Sequence, residues 1–460
     1  MIKNLLNFIW RKSDVIFLYF LFIISLFLLL YVVYKSEFIH SGANRHFYFT
    51  YFIASILSFF FYFFLFFSST RNRIKIVKIF TILVIVLYML EFYFYNSKYF
   101  DKDSLNKEFI ESQVREKEIN SSGKFYDRRS FDLIFNDLKK SYPEVVFNSH
   151  IENDHNNIFP LSGVSETKTM FLCNENGYVP TYQSDRYGFN NEDLLWDKRD
   201  IDYLLLGDSF IHGKCVANNS NIQNILARLS GKVVLNLAYT GNGPLTEYAT
   251  LSEYIDLVKP KKILWFFYEG NDLLNLQLER QNKILKKYLA TENYSQNLIY
   301  KQSDIDLIQR IDDFKIIKKK HENSSKKNSY NFFSFIKLEN IRRLTVQRIL
   351  YIPPPVYAEF NNVAFLMKKI SQENNSQLYF IYLPEYERYK SKLTNSDFQN
   401  YNKVLEIIKN NNINLIDIKI LFDQEKDPLM YFPFRSYGHY NHEGYFKISN
   451  YILNKINKKK

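Results

Sequence analysis

A three-layer α/β/α sandwich around a parallel sheet, preceded by three transmembrane helices, is the fold class the sequence predicts. Three observations predict it. From Tyr203 onward, short continuous apolar runs alternate with amphipathic helical segments, the pattern of βαβ units whose strands are covered on both faces. Uncharged apolar stretches as long as a bilayer is thick fill the first part of the chain. Between these regions, from Asn148 to Arg199, lies a long stretch rich in Asn, Asp, Gly and Pro with little periodicity. Such a stretch is functional or packed over the sheet.

The composition records the same division. The 460 residues are 47% hydrophobic and 18% aromatic, with 43 Phe and 36 Tyr. The apolar excess sits in "VIFLYFLFIISLFLLLYVVY" (Val15 to Tyr34), "FYFTYFIASILSFFFYFFLFF" (Phe47 to Phe67) and the shorter "IFTILVIVLYML", which continues to Glu91 and Tyr95. A transmembrane helix needs about 20 apolar residues, which the first two runs supply outright. The first run is too long for a cleaved signal peptide, and no small-residue cleavage site follows Tyr34. Lys3, Arg11 and Lys12 precede the first run, and Arg71, Arg73, Lys75 and Lys78 separate the second from the third. The positive-inside rule puts those segments in the cytoplasm and everything after about residue 98 outside. The localisation expected is a bacterial inner membrane with a periplasmic C-terminal domain.

Residues 1–98 therefore read as the anchor, 99–200 as a linker and irregular N-terminal part of the soluble domain, and 201–460 as the α/β domain. Asp101 to Gln113 reads as a polar exit helix or linker, and "FDLIFNDLKKSYPEVV" as a helix ending at Pro143. The strands are "YLLLG", "KVVLNLAY", "KKILWFFYEG", "QLYFIYLP" and "INLIDI". The intervening helices are "NIQNILARL", "LTEYATLSEYIDLV", one around Asn362 to Ser371, one from Ser396 to Lys409, and a last near Tyr445 to Asn454. Right-handed crossovers build them into layers. A charged helical stretch near 273–355 reads as an insertion or lid.

Two cysteines, Cys173 and Cys215, are the minimum for one disulfide in an oxidising compartment. On the chain-entropy model that bridge stabilises by roughly 4 kcal/mol. The formal charge of +12 comes from loop clusters such as "KIIKKKHENSSKK" near Lys318 and the terminal Lys458 to Lys460. No aromatic platforms interleave them, so nucleic acid is not an expected partner. The membrane lipid bilayer is. No His, Cys or carboxylate spacing argues for a metal, no glycine-rich phosphate loop is present, and no cofactor is expected.

In an open parallel sheet, ligands sit beyond the carboxyl ends of the strands. Three such ends here carry unusual residues: "GDS" with Asp208 and Ser209; "NLAYTGNGP" with Asn236, Gly241 and Gly243; and "EGND" with Glu269, Asn271 and Asp272. "YGHYNHEGY" then offers His439 and His442 before the last helix. A serine, a histidine base and preorganised N–H donors are what acyl transfer needs.

This ordered four-block arrangement, from about Tyr203 to Leu453, resembles the SGNH (GDSL-type) hydrolase superfamily. The resemblance implies a flavodoxin-like sandwich, Ser209 as nucleophile and His439 as base, with the N–H groups of Ser209 and Gly241 and the Asn271 amide as the oxyanion hole. "SDRYGFNN", "NGPLTEYATLSEY" and "WFFYEGND" are more loosely similar to a membrane-anchored bacterial subgroup associated with surface polysaccharides. One departure stands out. The family carries Asp two or three residues before its histidine, where this chain has Tyr437 and Ser436. The expectation is a Ser–His dyad on a backbone carbonyl, a remote acid such as Asp427, or an inactive site. Asp208 and Asp272 read as turn braces, His212 as a pocket or capping residue, His442 as a competitor to His439, and Glu269 as a group that crowds the pocket or meets substrate. The "WFFY" stripe from Trp265 reads as core.

The resulting function is a serine esterase or O-acyl (acetyl) transferase acting on an extracytoplasmic glycan or glycolipid ester. For a transferase, a membrane acyl-donor protein is a candidate partner. The alternatives are an inactive binding or assembly module in envelope polysaccharide biosynthesis, and a lipase or thioesterase.

Overall fold

The structure is a computed structural model, and it describes residues 13–39, 42, 45–96, 107–149, 157–198, 200–311, 335–342, 354–390 and 398–457. Lys3, Arg11, Lys12 and the lysine clusters near Lys318 and at Lys458 to Lys460 lie outside the described residues. The chain divides into two compact units, Met1–Ile110 with Lys327–Pro354, and Glu111–Lys326 with Pro355–Lys460.

The first unit contains helices Ser13–Val33, Arg45–Leu65 and Thr70–Asn96. Three candidate spans, Val15–Ile39, Tyr48–Leu65 and Thr70–Phe94, are long and apolar enough to cross a membrane. At 1.5 Å per residue, the shortest of them matches a hydrocarbon core about 30 Å thick to within a turn. The first two helices pack through Leu18, Leu21, Tyr62 and Leu65, while large side chains such as Phe27, Phe64 and Met89 face outward. Outward phenylalanines are costly in water and favourable in lipid.

Helix Lys107–Ser122, most of which belongs to the second unit, runs further than the expected exit helix, whose first residues, 101–106, lie outside the described residues; helix Phe131–Ser141 follows. The stretch expected to be irregular contributes two of the three strands of a small sheet. Strand β1 (Val146–Phe147) pairs parallel with β2 (Lys168–Met170), which pairs antiparallel with β3 (Thr181–Gln183). Strands of two or three residues are too short to leave an alternating signature.

The main sheet holds β4 (Tyr203–Leu206), β5 (Val234–Asn236), β6 (Lys262–Tyr268), β7 (Gln377–Leu383) and β8 (Asn414–Asp417). All neighbours are parallel, in the order β5-β4-β6-β7-β8. This is the 2-1-3-4-5 order of doubly wound sheets. Side chains alternate between two cores although both faces are apolar. Ile263, Trp265 and Phe267 join one core, and Leu264, Phe266 and Tyr268 the other. Helices Pro244–Val258 and Ala358–Glu373 cover the first face; Ile222–Ser230 and His442–Asn457 cover the second. Burying each such aromatic contributes about 1.5–3 kcal/mol. The "WFFY" stripe is core.

Of the stretch near 273–355 read as an insertion or lid, residues 312–334 and 343–353 lie outside the described residues, and the described part from Leu273 to Ile308 packs into the core. Leu273, Leu276, Ile284, Leu285, Tyr288, Leu298, Ile305 and Ile308 are all buried in the first core. Helix Lys283–Ala290 turns its lysines outward and these apolar residues inward, so its charge concealed a core-facing stripe.

Candidate active site

Ser209 opens a one-turn helix, Ser209–His212, directly beyond β4. The chain can turn this sharply because Gly207 lacks a Cβ, which would sit 2.7 Å from the Ile211 side chain, and because Gly213 adopts φ +86° at the helix end. Asp208 caps the turn, its Oδ1 accepting the Phe210 N–H at 2.9 Å. Its Oδ2 accepts the Asn271 amide at 3.2 Å, so the first and third strand ends are joined at the site. Burial pushes the Asp208 carboxyl above its ordinary value.

His439 arrives from the loop before the last helix. Its Nε2 lies 2.8 Å from the Ser209 hydroxyl. Its other nitrogen meets a carboxylate that the sequence did not flag, since Glu175 Oε2 and Oε1 lie 3.1 and 3.3 Å from Nδ1. Glu175 Oε2 also accepts the His439 backbone N–H at 2.6 Å. A neutral imidazole in this network donates from Nδ1 to Glu175 and accepts at Nε2 from the serine. Burial alone would raise the Glu175 carboxyl, but the His439 charge and the two hydrogen bonds outweigh it and hold it below the ordinary value. The imidazole lies over the Phe210 ring at 4.5 Å between centroids, and Phe210 stacks on Tyr268 at 3.8 Å.

Glu175 reaches the histidine for two local reasons. Cys173, two residues earlier, is bonded to Cys215 with Cα atoms 5.2 Å apart, which ties the acid-bearing loop to the turn that carries Ser209. Gly438 leaves room, since a Cβ there would lie 2.5 Å from Glu175 Oε2. Arg115 steadies the histidine loop by donating to the Ser436 hydroxyl at 3.1 Å and to the Tyr437 carbonyl.

The remaining expected residues fall as follows. Gly241, with φ +85°, lies in the turn beyond β5. Its neighbour Thr240 donates its N–H to His212 Nδ1 at 3.2 Å. His212 is fully buried among Phe171, Tyr182 and Tyr239, and burial lowers its pKa to about 3. It is a neutral brace between two strand ends. Asp272 holds the Tyr268 N–H at 2.7 Å, in keeping with a turn brace.

Three expectations change. Asp427 does not serve the histidine; it pairs with Arg435, one of the contacts at 2.9 Å. Glu269 is engaged by neighbouring side chains of the fold. It accepts from Arg388 at 2.9 Å and from the Tyr382 hydroxyl at 2.5 Å. His442 begins the last helix and rests against Phe446, leaving His439 at the serine. "SDRYGFNN" is a brace as well: Asn190 donates to the His212 carbonyl and Asn191 to that of Asn236, both at 2.9 Å, around the buried Asp185.

Neither a family model nor a curated protein matches the sequence. Among solved structures the chain is similar to a lipase/acylhydrolase from Enterococcus faecalis, at 13% identity and TM-score 0.30, over 56% of this chain and 95% of that one. It is similar to the acetyl xylan esterase AlAXEase at 12% and 0.31, over 56% and 100%. It is similar to a G-D-S-L-family protein from Desulfitobacterium hafniense DCB-2 at 11% and 0.30, over 56% and 99%. Likeness at this level leaves the case to the sheet order and the site's own geometry. The blocks that resemble the SGNH superfamily in order lie at adjoining strand ends of a 2-1-3-4-5 parallel sheet, where Ser209, His439, Asp208 and Asn271 are brought together.

Proposed function

We propose that this chain is a membrane-anchored serine esterase or O-acyl transferase that works through an acyl-enzyme on Ser209. The observation that carries the reading is the continuous line from Ser209 Oγ through His439 to the Glu175 carboxylate. Ser209 attacks the ester carbonyl while His439 Nε2 takes the hydroxyl proton, and Glu175 offsets the charge that develops on the imidazole. The Ser209 N–H, the Gly241 N–H and the Asn271 amide supply the oxyanion donors. One N–H of Asn271 is held by Asp208, which aims the amide before substrate arrives. His439 then returns the proton to the leaving alcohol, and water or a sugar hydroxyl accepts the acyl group.

The inactive-module alternative depended on a missing acid, and Glu175 removes that ground. An extracytoplasmic position is favoured by the loop charges and by a disulfide beside the nucleophile turn. A glycan or glycolipid ester is the substrate class proposed.

The test uses the full-length protein in detergent with 4-nitrophenyl acetate, 4-nitrophenyl palmitate and an O-acetylated oligosaccharide. Acetate release from the oligosaccharide that disappears in Ser209→Ala supports the reading. Preference for palmitate with no action on the oligosaccharide would move the chain to the lipases.

A further inference from the structure

We propose that Cys173, Glu175, Cys215 and His439 form, once the disulfide is reduced, a binding site for a zinc-class divalent ion, and that filling it disables the base at Ser209. One ligand atom from each of the four residues lies within 4.8 Å of all the others. Cys215 Sγ is 3.2 Å from His439 Nδ1, and Glu175 Oε2 is 3.1 Å from the same nitrogen. Two thiolates, an imidazole nitrogen and a carboxylate form a donor set suited to tetrahedral zinc.

The site is already largely assembled. Cys173 and Cys215 are buried, the imidazole is held over Phe210, and the glutamate is held by the His439 N–H. With Zn–S about 2.3 Å, the two sulfurs need only open to a tetrahedral edge of about 3.8 Å. Side-chain rotation of two freed cysteines supplies that movement.

The chemistry balances. A dithiol reductant transfers two electrons to the Sγ–Sγ bond, giving two cysteine thiols and the reductant's own disulfide. The ion then displaces one proton from each thiol and takes the lone pair of His439 at Nδ1. The ring proton moves to Nε2, which now donates to Ser209 and can no longer accept its proton. The ion also engages the carboxylate that would offset imidazolium charge. The disulfide-bonded protein has no free thiolates and is the active form; the reduced, metal-loaded protein is silent.

Only the activity arm of the test rests on the proposed function. Full-length protein in detergent is reduced with a phosphine, freed of reductant and titrated with cobalt(II) under argon. The reduced protein is expected to bind one cobalt per chain, with thiolate charge transfer in the near ultraviolet and intense tetrahedral d–d bands. Oxidised protein, Cys173→Ser and Cys215→Ser should lack that spectrum, while Ser209→Ala should keep it. Ester turnover by reduced protein should fall by about 10²-fold or more on metal loading and recover with a chelator. No thiolate–cobalt spectrum in reduced protein, or one unchanged in both cysteine variants, overturns the proposal. These spectra decide it even if no ester is ever turned over.

Discussion

The Glu175 carboxylate lies 3.1 Å from Nδ1 of His439, although 264 positions separate the two residues. The carboxylate beside the histidine ring thus comes from a loop before the first main-sheet strand and not from the turn that carries the histidine. Glu175→Gln keeps the size but loses the charge that offsets imidazolium. It should lower kcat about 10²- to 10⁴-fold with little change in KM. Asp427→Asn should leave kcat unchanged, because Asp427 is bound to Arg435. Steady-state kinetics on both variants checks the assignment.

Gly438→Ala places a methyl group 2.5 Å from Glu175 Oε2. The carboxylate must move away from both the ring and the backbone N–H of His439. Activity should fall about as far as in Glu175→Gln, while the Tm stays near that of the native protein. A large drop in Tm would mean that Gly438 serves the fold instead.

Arg115 holds the loop at Ser436 and Tyr437. Arg115→Ala should lower kcat roughly tenfold, equivalent to about 1.4 kcal/mol of lost positioning, without raising KM. Arg115→Lys should recover only part of this, since a single ammonium does not reproduce the planar fork.

Much of this site is legible in the chain, and what is hidden has physical reasons. Continuous apolar runs such as "KILWFFY" mark strands covered on both faces, and the polar residues just beyond them include Ser209, which meets His439, and Asn271, which meets Asp208. Glu175 stays hidden because it lies in a stretch without periodicity. The signal was there in combination: a disulfide from Cys173 to Cys215, six residues after Ser209, brings Glu175 beside the same turn. Arg115 left no such signal, because a lone arginine on a polar helix resembles any solvated charge. The core role of Ile284, Leu285 and Tyr288 was masked by the lysines between them.

Glu279 should make the fold sensitive to pH. It is buried, accepts the Gly243 and Leu245 N–H groups at 2.6 and 3.0 Å, and is pushed by burial from 4.5 up to about 7. A carboxyl raised in the folded state binds its proton more tightly there than in the unfolded chain. Its contribution is therefore lost as pH rises from about 4.5 to 7, by roughly 3 kcal/mol. His212, lowered to about 3, acts in the opposite sense, so the comparison must be made against a variant. The Tm of Glu279→Gln minus that of the native protein should be more positive near pH 8 than near pH 5. An equal difference at both pH values would refute the assignment.

The central claim is that Ser209 is a nucleophile activated by His439. It is tested most directly by treating the folded, full-length protein with a fluorophosphonate and locating the adduct by peptide mass spectrometry. The account predicts one adduct, on Ser209, formed far more slowly in His439→Ala and Glu175→Gln and absent from Ser209→Ala. An adduct at another serine that persists in Ser209→Ala, or no adduct on folded protein, would contradict it.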